Sequence, residues 1–213
     1  MIIVNHRINT IEKLKVCKKN LGCEIDIRNH GKNLILNHDA FDENGDNFEK
    51  WLDYYQHKFL IINVKEEGLE SKIFNILRKK NITKYFILDE TMPFILKYAN
   101  MGHSDFALRI SEIENYLTAI KIKNFLKNKK KIKWIWLDTF STLPISKGIF
   151  NTLKKNKYKI CLVSPELHFL NDRKKWTKLI DNFQKKLVKD KLKPDMVCTK
   201  NPNKWLDFKE IKY

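Results

Sequence analysis

An α/β fold, a single (β/α)8 barrel with an insertion after its second strand, is what the sequence predicts, and three observations predict it. Short runs rich in Ile, Val, Leu and aromatic residues alternate with longer segments of helical periodicity throughout the 213 residues, the pattern of βα units and a parallel sheet. Eight such apolar runs can be counted. Polar residues that carry chemistry fall at the ends of several of them, where this fold builds its site.

The strand candidates are residues 2–5, 23–27, 59–64, 85–89, 105–110, 133–138, 158–163 and 195–199. Phe59-Leu60-Ile61-Ile62 and Trp134-Ile135-Trp136-Leu137 read as nearly continuous apolar runs, as parallel strands covered on both faces do. The helix candidates are residues 10–21, 68–80, 91–101, 112–126, 145–156 and 173–191. The last is clearest, with Trp176, Leu179, Ile180, Phe183 and Leu187 at helical spacings and lysines opposite. Residues 34–57 break the alternation. They hold the apolar run Leu34-Ile35-Leu36, the polar stretch Asp42-Glu43-Asn44-Gly45-Asp46, and a helix around residues 48–55. An open doubly wound sheet also fits the alternation, but gives polar residues at so many strand ends no reason to meet. With no internal repeat and no low-complexity linker, residues 1–213 read as one domain.

The chain is long enough for a proper core, and its 43% hydrophobic share is ordinary for a globular protein. No run approaches the roughly 18 to 20 apolar residues of a membrane span. The start, Met1-Ile2-Ile3-Val4-Asn5-His6, lacks the features of a signal peptide, so a cytoplasmic protein is expected. Cys17, Cys23, Cys161 and Cys198 have no metal-finger or redox spacing, and are expected as buried free thiols. The net charge of +17 raises a nucleic-acid role. The lysines are nevertheless dispersed among Asn and Ile, a compositional bias. The one dense run, residues 127–133, reads as a solvated loop between a helix and a strand. No dedicated nucleic-acid partner is expected, although the charge can draw in an anionic substrate.

The chemistry gathers around Cys23-Glu24-Ile25-Asp26-Ile27. Glu24 and Asp26 lie one residue apart in a strand and point to one side. In an apolar strand they bear a desolvation cost unless paired or bound to a cation, which they can share. His6 and His38 flank them, each just after an apolar run, and can trade protons near neutral pH. The constellation reads as a metal-assisted acid/base site. Taken alone, His6-Arg7 would also suit an exposed loop and His38-Asp39 a surface turn.

The order His6-Arg7, about 17 residues to Glu24-Ile25-Asp26, about 12 to His38-Asp39, then Asn63-Val64-Lys65 ending a strand, resembles the glycerophosphodiester phosphodiesterase family. That family is a (β/α)8 barrel related to the phosphatidylinositol phospholipases C. The likeness is most specific over residues 2–68 and runs on as strand order to Val197-Cys198-Thr199. Two segments, Leu108-Arg109-Ile110-Ser111-Glu112 and Val163-Ser164-Pro165-Glu166-Leu167-His168, are similar to a subgroup found with bacterial surface-polysaccharide genes.

The resemblance implies a phosphodiesterase with His6 and His38 as acid/base pair, and Glu24 and Asp26 as ligands of Mg2+ or Ca2+. It implies that Arg7 and Lys65 meet the phosphate oxygens. Two departures stand out. The family's third acidic ligand falls at Asn63, which brings a carbonyl but no charge and leaves completion of the ligand set to water, Asp138 or Asp89. The glycine after His-Arg is Ile8, narrowing the space beside the scissile phosphate.

Arg109 ends an apolar strand and is read as a substrate anion contact; the alternative is a salt bridge to Glu112 or Glu166. Asp138 reads equally as a partner behind the site or a strand-end cap. His103 and His168 are expected to be structural, and Trp134, Trp136, Trp176 and Tyr85 to be core. The expected activity is metal-dependent hydrolysis of a small glycerophosphodiester-like, nucleotide-linked or sugar-linked phosphodiester. The alternatives are a lyase stopping at a cyclic phosphate and a non-hydrolytic barrel that binds a phosphorylated glycan or nucleic acid. Oligomeric state is not readable.

Overall fold

The computed structural model describes residues 1–126, 132–141, 143–168 and 173–210. They form two compact units, Val4–Lys97 and Tyr98–Tyr213 with Met1–Ile3. Strand β1 (Ile2–Asn5) contributes its first residues to one unit and its last to the other. Most of the lysine run lies outside the described residues.

In the unit Val4–Lys97, β1 is followed by helix α1 (Ile11–Val16) and strand β2 (Gly22–His30). The insertion is a hairpin of β3 (Asn33–Leu36) and β4 (Asp46–Asn47), leading into α2 (Phe48–Asp53). Then come β5 (Leu60–Val64), α3 (Glu70–Lys79), β6 (Tyr85–Leu88) and α4 (Met92–Asn100), which runs on past Lys97. The parallel order is β1, β2, β5, β6, with β3 antiparallel on the far end of β2. Gly31 turns the β2–β3 hairpin at φ +55°, a conformation glycine enters without a Cβ penalty. At Gly22 a Cβ would lie 2.8 Å from both the Phe59 carbonyl oxygen and Val4 Cγ2. Only glycine lets β1 and β5 approach β2 there. Every residue of β5 is buried, as expected of a strand covered on both faces.

Helix α1 begins where predicted, its N-cap Thr10 accepting from the Lys13 N–H at 3.2 Å. It ends five residues short of residue 21, because Cys17 takes an extended conformation and the chain must turn into β2.

The second unit carries β7 (Ala107–Ile110), α5 (Leu117–Phe125), β8 (Trp134–Leu137), α6 (Lys147–Lys155), β9 (Lys159–Val163), a single 3-10 turn (Pro165–Leu167), α7 (Arg173–Lys189), β10 (Met196–Thr199) and α8 (Pro202–Glu210). The parallel order is β7, β8, β9, β10, and the Ile2 N–H donates to the Asp195 carbonyl at 2.8 Å just before β10. Helix α5 starts later than the predicted residue 112. Ser111 Oγ accepts from the N–H groups of Ile113 and Glu114 at 3.2 and 3.0 Å, diverting the backbone into a turn. Helix α8 was not predicted. Its apolar signal is little more than Trp205 and Phe208, yet both are buried, and Trp205 Nε1–H donates to Ser164 Oγ at 2.8 Å.

Trp134 and Trp136 lie in the core, whereas Tyr85 and Trp176 are half-buried. All four cysteines are buried and free, as expected. Among the described residues no helix is long and apolar enough to cross a membrane.

Candidate active site

The loop leaving β1 is tied to β2 at every step. His6 Nε2 lies 3.6 Å from Glu24 Oε2, and the Arg7 N–H donates to the same oxygen at 2.8 Å. The Ile8 N–H donates to the Glu24 carbonyl at 2.8 Å. Arg7 reaches this geometry at φ +57°, in the left-handed region that non-glycine residues enter at a cost of about 1–2 kcal/mol. The hydrogen bonds to Glu24 hold it there. Ile8, in the glycine position of the resembled family, is buried.

Glu24 and Asp26 are 1% and 0% exposed on one face of β2. Asp26 Oδ2 accepts from Asn9 Nδ2 at 2.8 Å and lies 3.7 Å from Arg7 Nε, while Oδ1 is 3.2 Å from Lys65 Nζ. The Asp26 N–H donates to Asn9 Oδ1 at 2.9 Å. Asn9 therefore grips Asp26 by backbone and side chain together. Across the sheet Asp26 is in register with Asn63, which places Lys65, two residues further on, on the same face.

Burial, then the charge of Asp26, pushes the Glu24 carboxyl from its ordinary 4.5 up to about 8, against the Arg7 N–H and the charges of Lys65 and Arg7. Two buried acceptors, Glu24 Oε1 and Asn63 Oδ1, take no hydrogen bond among the described residues. A buried acid pair with spare oxygen lone pairs suits a hard divalent cation, which would favour ionised Glu24 over its protonated form. Glu24, Asp26 and Asn63 thus fit a metal, with two charges rather than three.

His38 is held differently. Its Nδ1–H donates to Asp39 Oδ1 at 2.7 Å, and its carbonyl accepts from Arg28 Nη2 and Nε at 3.0 and 3.3 Å. The hydrogen bond and charge of His38 lower Asp39, with a smaller contribution from the charge of Arg7. His6, Arg7, Glu24, Asp26 and Lys65 form one contact network, joined in register by Asn63, whereas the contacts of His38 are to Asp39 and Arg28. Sequence reasoning missed Asn9 and Arg28. The only available signal was their alternation with the named residues, Asn9 two after Arg7 and Arg28 two after Asp26.

In the other unit Arg109, next to last in β7, lies in a carboxylate cluster. Its Nη1 pairs with Asp138 Oδ2, and its Nε lies 4.0 Å from Glu114. Asp138 also accepts from His168 Nε2 at 2.5 Å and from the Thr139 N–H at 2.9 Å. Burial pushes Asp138 up, but the His168 hydrogen bond and the charges of Arg109 and His168 hold it below its ordinary range. Glu166 accepts from the Thr199 hydroxyl at 2.5 Å and the Lys200 N–H at 3.0 Å. Glu112 accepts from the Phe140 and Ser141 N–H groups at 3.1 and 2.7 Å. Arg109 is thus ion-paired, with Asp138 and Glu114 among its partners.

No protein-family model matches the chain, and no curated protein sequence does. Solved structures do. A protein of Agrobacterium tumefaciens assigned as a glycerophosphoryl diester phosphodiesterase shares 9% identity at a TM-score of 0.68, over 99% of this chain and 98% of its own. A glycerophosphodiester phosphodiesterase of the same organism shares 12% identity at 0.64, over 98% and 99%. A glycerophosphoryl diester phosphodiesterase of Parabacteroides distasonis shares 12% at 0.63, over 97% of this chain and 85% of its own. At these identities the likeness establishes the fold: the expected α/β class of the (β/α)8 barrel, with the β3–β4 hairpin and α2 as its insertion.

Proposed function

We propose that the chain is a metal-dependent phosphodiesterase of the glycerophosphodiester type, one domain over residues 1–213, acting in the cytoplasm on a small phosphodiester. The observation that carries this reading is the docking of His6 and Arg7 on Glu24, with Arg7 and Lys65 both within ion-pair reach of Asp26. A fold shared with structures that bear that activity in their names supports it.

The diester anion binds between the Arg7 guanidinium, able to hold two phosphate oxygens, and the Lys65 ammonium. Held by Glu24, Asp26 and Asn63, Mg2+ or Ca2+ would supply positive charge against the non-bridging oxygens. One of His6 and His38 takes the proton of the attacking water, and the other gives a proton to the leaving alkoxide. A P–O bond forms as another breaks, and an alcohol and a phosphomonoester leave. Asp39 keeps the His38 proton on Nδ1 and supports the imidazolium, leaving Nε2 for the exchange. Burial of Glu24 beside His6 provides a low-dielectric place for the second transfer. Ile8, lacking in the resembled family, favours a diester that is slim beside the phosphorus. The segments around Arg109 and Glu166 support a sugar-linked substrate of the polysaccharide-associated subgroup.

One observation favours a second reading. Asn63 removes a charge from the metal set, as expected of a barrel that binds a phosphorylated glycan or nucleic acid without turnover. Glycerophosphodiesters and nucleotide-linked glycerols incubated with Mg2+, Ca2+ or Mn2+ decide between them. Turnover by the parent, lost in His6→Ala and Glu24→Ala, supports the enzyme; no turnover, or variants equal to the parent, overturns it. Phosphorus NMR in 18O-water identifies a lyase by an unlabelled cyclic product.

A further inference from the structure

Behind the carboxylates, the opposite face of β2 carries a different donor set. Cys23 precedes Glu24, so its side chain alternates to the other side of the strand. Cys17 ends α1, and its Sγ lies 4.0 Å from Cys23 Sγ. His57 sits in the segment leading to β5, and the ligand atoms of all three residues lie within 4.8 Å of one another. In a tetrahedral zinc site, with Zn–S near 2.3 Å and Zn–N near 2.0 Å, ligand atoms stand about 3.5–3.8 Å apart. The cluster is within a few tenths of an ångström of that spacing between its sulfurs.

The histidine is already set for coordination. Its Nε2 lies 3.0 Å from the Cys17 carbonyl oxygen, which can only accept, so Nε2 carries the proton and Nδ1 has a bare lone pair. Nδ1 is buried and has no hydrogen-bond partner among the described residues. A backbone carbonyl that fixes the tautomer and orientation of a histidine in this way is the usual support behind a metal-bound ring. The Tyr55 ring stands 5.6 Å from that of His57, and its hydroxyl is also buried without a hydrogen-bond partner among the described residues.

We propose that Cys17, Cys23 and His57 bind a zinc ion, with the Tyr55 hydroxyl or a water in the fourth position. Two Zn–S bonds and one Zn–N bond form, the two thiol protons leave to solvent, and no oxidation state changes. Two thiolates neutralise Zn2+, so the buried site carries no net charge. Imidazole and thiolate are the ligands a borderline-soft ion selects, whereas Glu24, Asp26 and Asn63 offer oxygen. The ion staples the end of α1, the start of β2 and the approach to β5, and so holds the strand that carries the carboxylates.

The full chain, stripped with chelator under reducing conditions, is titrated with Co2+ and then Zn2+. A thiolate-to-cobalt charge-transfer band saturating at one equivalent and displaced by Zn2+ is expected. The band is lost in Cys17→Ser and weakened about tenfold or more in affinity in His57→Gln. Zn2+ raises the thermal midpoint of the parent and not that of Cys17→Ser. Cobalt on carboxylates gives no sulfur band, so the outcome is independent of the phosphodiesterase reading. No sulfur band in the parent overturns the proposal, as does a band unchanged in both variants. A mass two hydrogens lower without reductant, with no metal bound after reduction, would mark Cys17 and Cys23 as a disulfide pair instead.

Discussion

Asp26 stands opposite Asn63 in the parallel register of β2 and β5, so a carboxylate and a carboxamide share a position across the sheet. Asn63→Asp places a second charge there. Cation affinity follows ligand charge, and calorimetry should show Mg2+ or Ca2+ binding about tenfold tighter or more. Unchanged affinity would remove residue 63 from the ligand set.

His6 and His38 are assigned the proton transfers. Replacement of either with Ala should lower kcat by about 10² to 10⁴-fold, with KM little changed. Asp39→Asn should lower the pH–rate profile by less, because a neutral amide no longer fixes the His38 tautomer as the carboxylate does. A profile identical to that of the parent would detach Asp39 from the reaction.

Asn9 makes two hydrogen bonds to Asp26, one of them to the charged group. Asn9→Ala should destabilise the fold by about 1.5–3 kcal/mol in urea and weaken cation binding. A stable variant with parental affinity would mean that Arg7 and Lys65 position Asp26 unaided.

Two carboxyls bind protons more tightly in the folded chain than in the unfolded one. Glu24 is raised to about 8 by burial and Asp26, and Glu90 to about 9, by burial and then by Glu70, Glu67 and Asp89. From about 4.5 up to those values the unfolded chain carries fewer protons, so stability falls as pH rises. In chelator these two carboxyls pull the urea midpoint down from pH 5 to 9, against the Cys17 thiol, which its hydrogen bond to Cys23 lowers to about 5. Glu90→Gln should remove part of that slope, and Mg2+ should offset the part due to Glu24. A pH slope unchanged by Glu90→Gln would contradict the Glu90 shift, and one unchanged by Mg2+ that of Glu24.

Asp138 is 1% exposed and shared between Arg109 and His168. Arg109→Ala strips a buried carboxylate of its permanent cation, a change that typically costs about 3 kcal/mol or more. A large loss of stability with unchanged KM assigns Arg109 to structure; a raised KM with unchanged stability assigns it to the substrate.

Strands were the most legible elements, because buried parallel strands such as Leu60–Val64 must be apolar almost without interruption. Helix ends were less so. Cys17 stops α1 because the chain must extend into β2, and Ser111 delays α5 by capturing two backbone N–H groups in a turn. Helix α8 has a weak apolar pattern because it buries only Trp205 and Phe208 among its described side chains. In the candidate site the pairing of Glu24 with Asp26 was readable from period-two alternation alone. The grip of Asn9 and the support of Arg28 were not, since an amide or a guanidinium near a strand end has the same sequence appearance whether or not it meets a partner.

By itself the sequence determined the alternation of strands and helices, the face shared by Glu24 and Asp26, and the residue types available to do chemistry. These arise from local periodicity, which needs no distant contact. Tertiary structure alone decided that Arg7 turns left-handed onto Glu24, that Asn63 meets Asp26 in register, and that Cys17, Cys23 and His57 gather on the reverse face of β2. Each joins residues at least six positions apart, and only strand register and packing bring them within bonding distance.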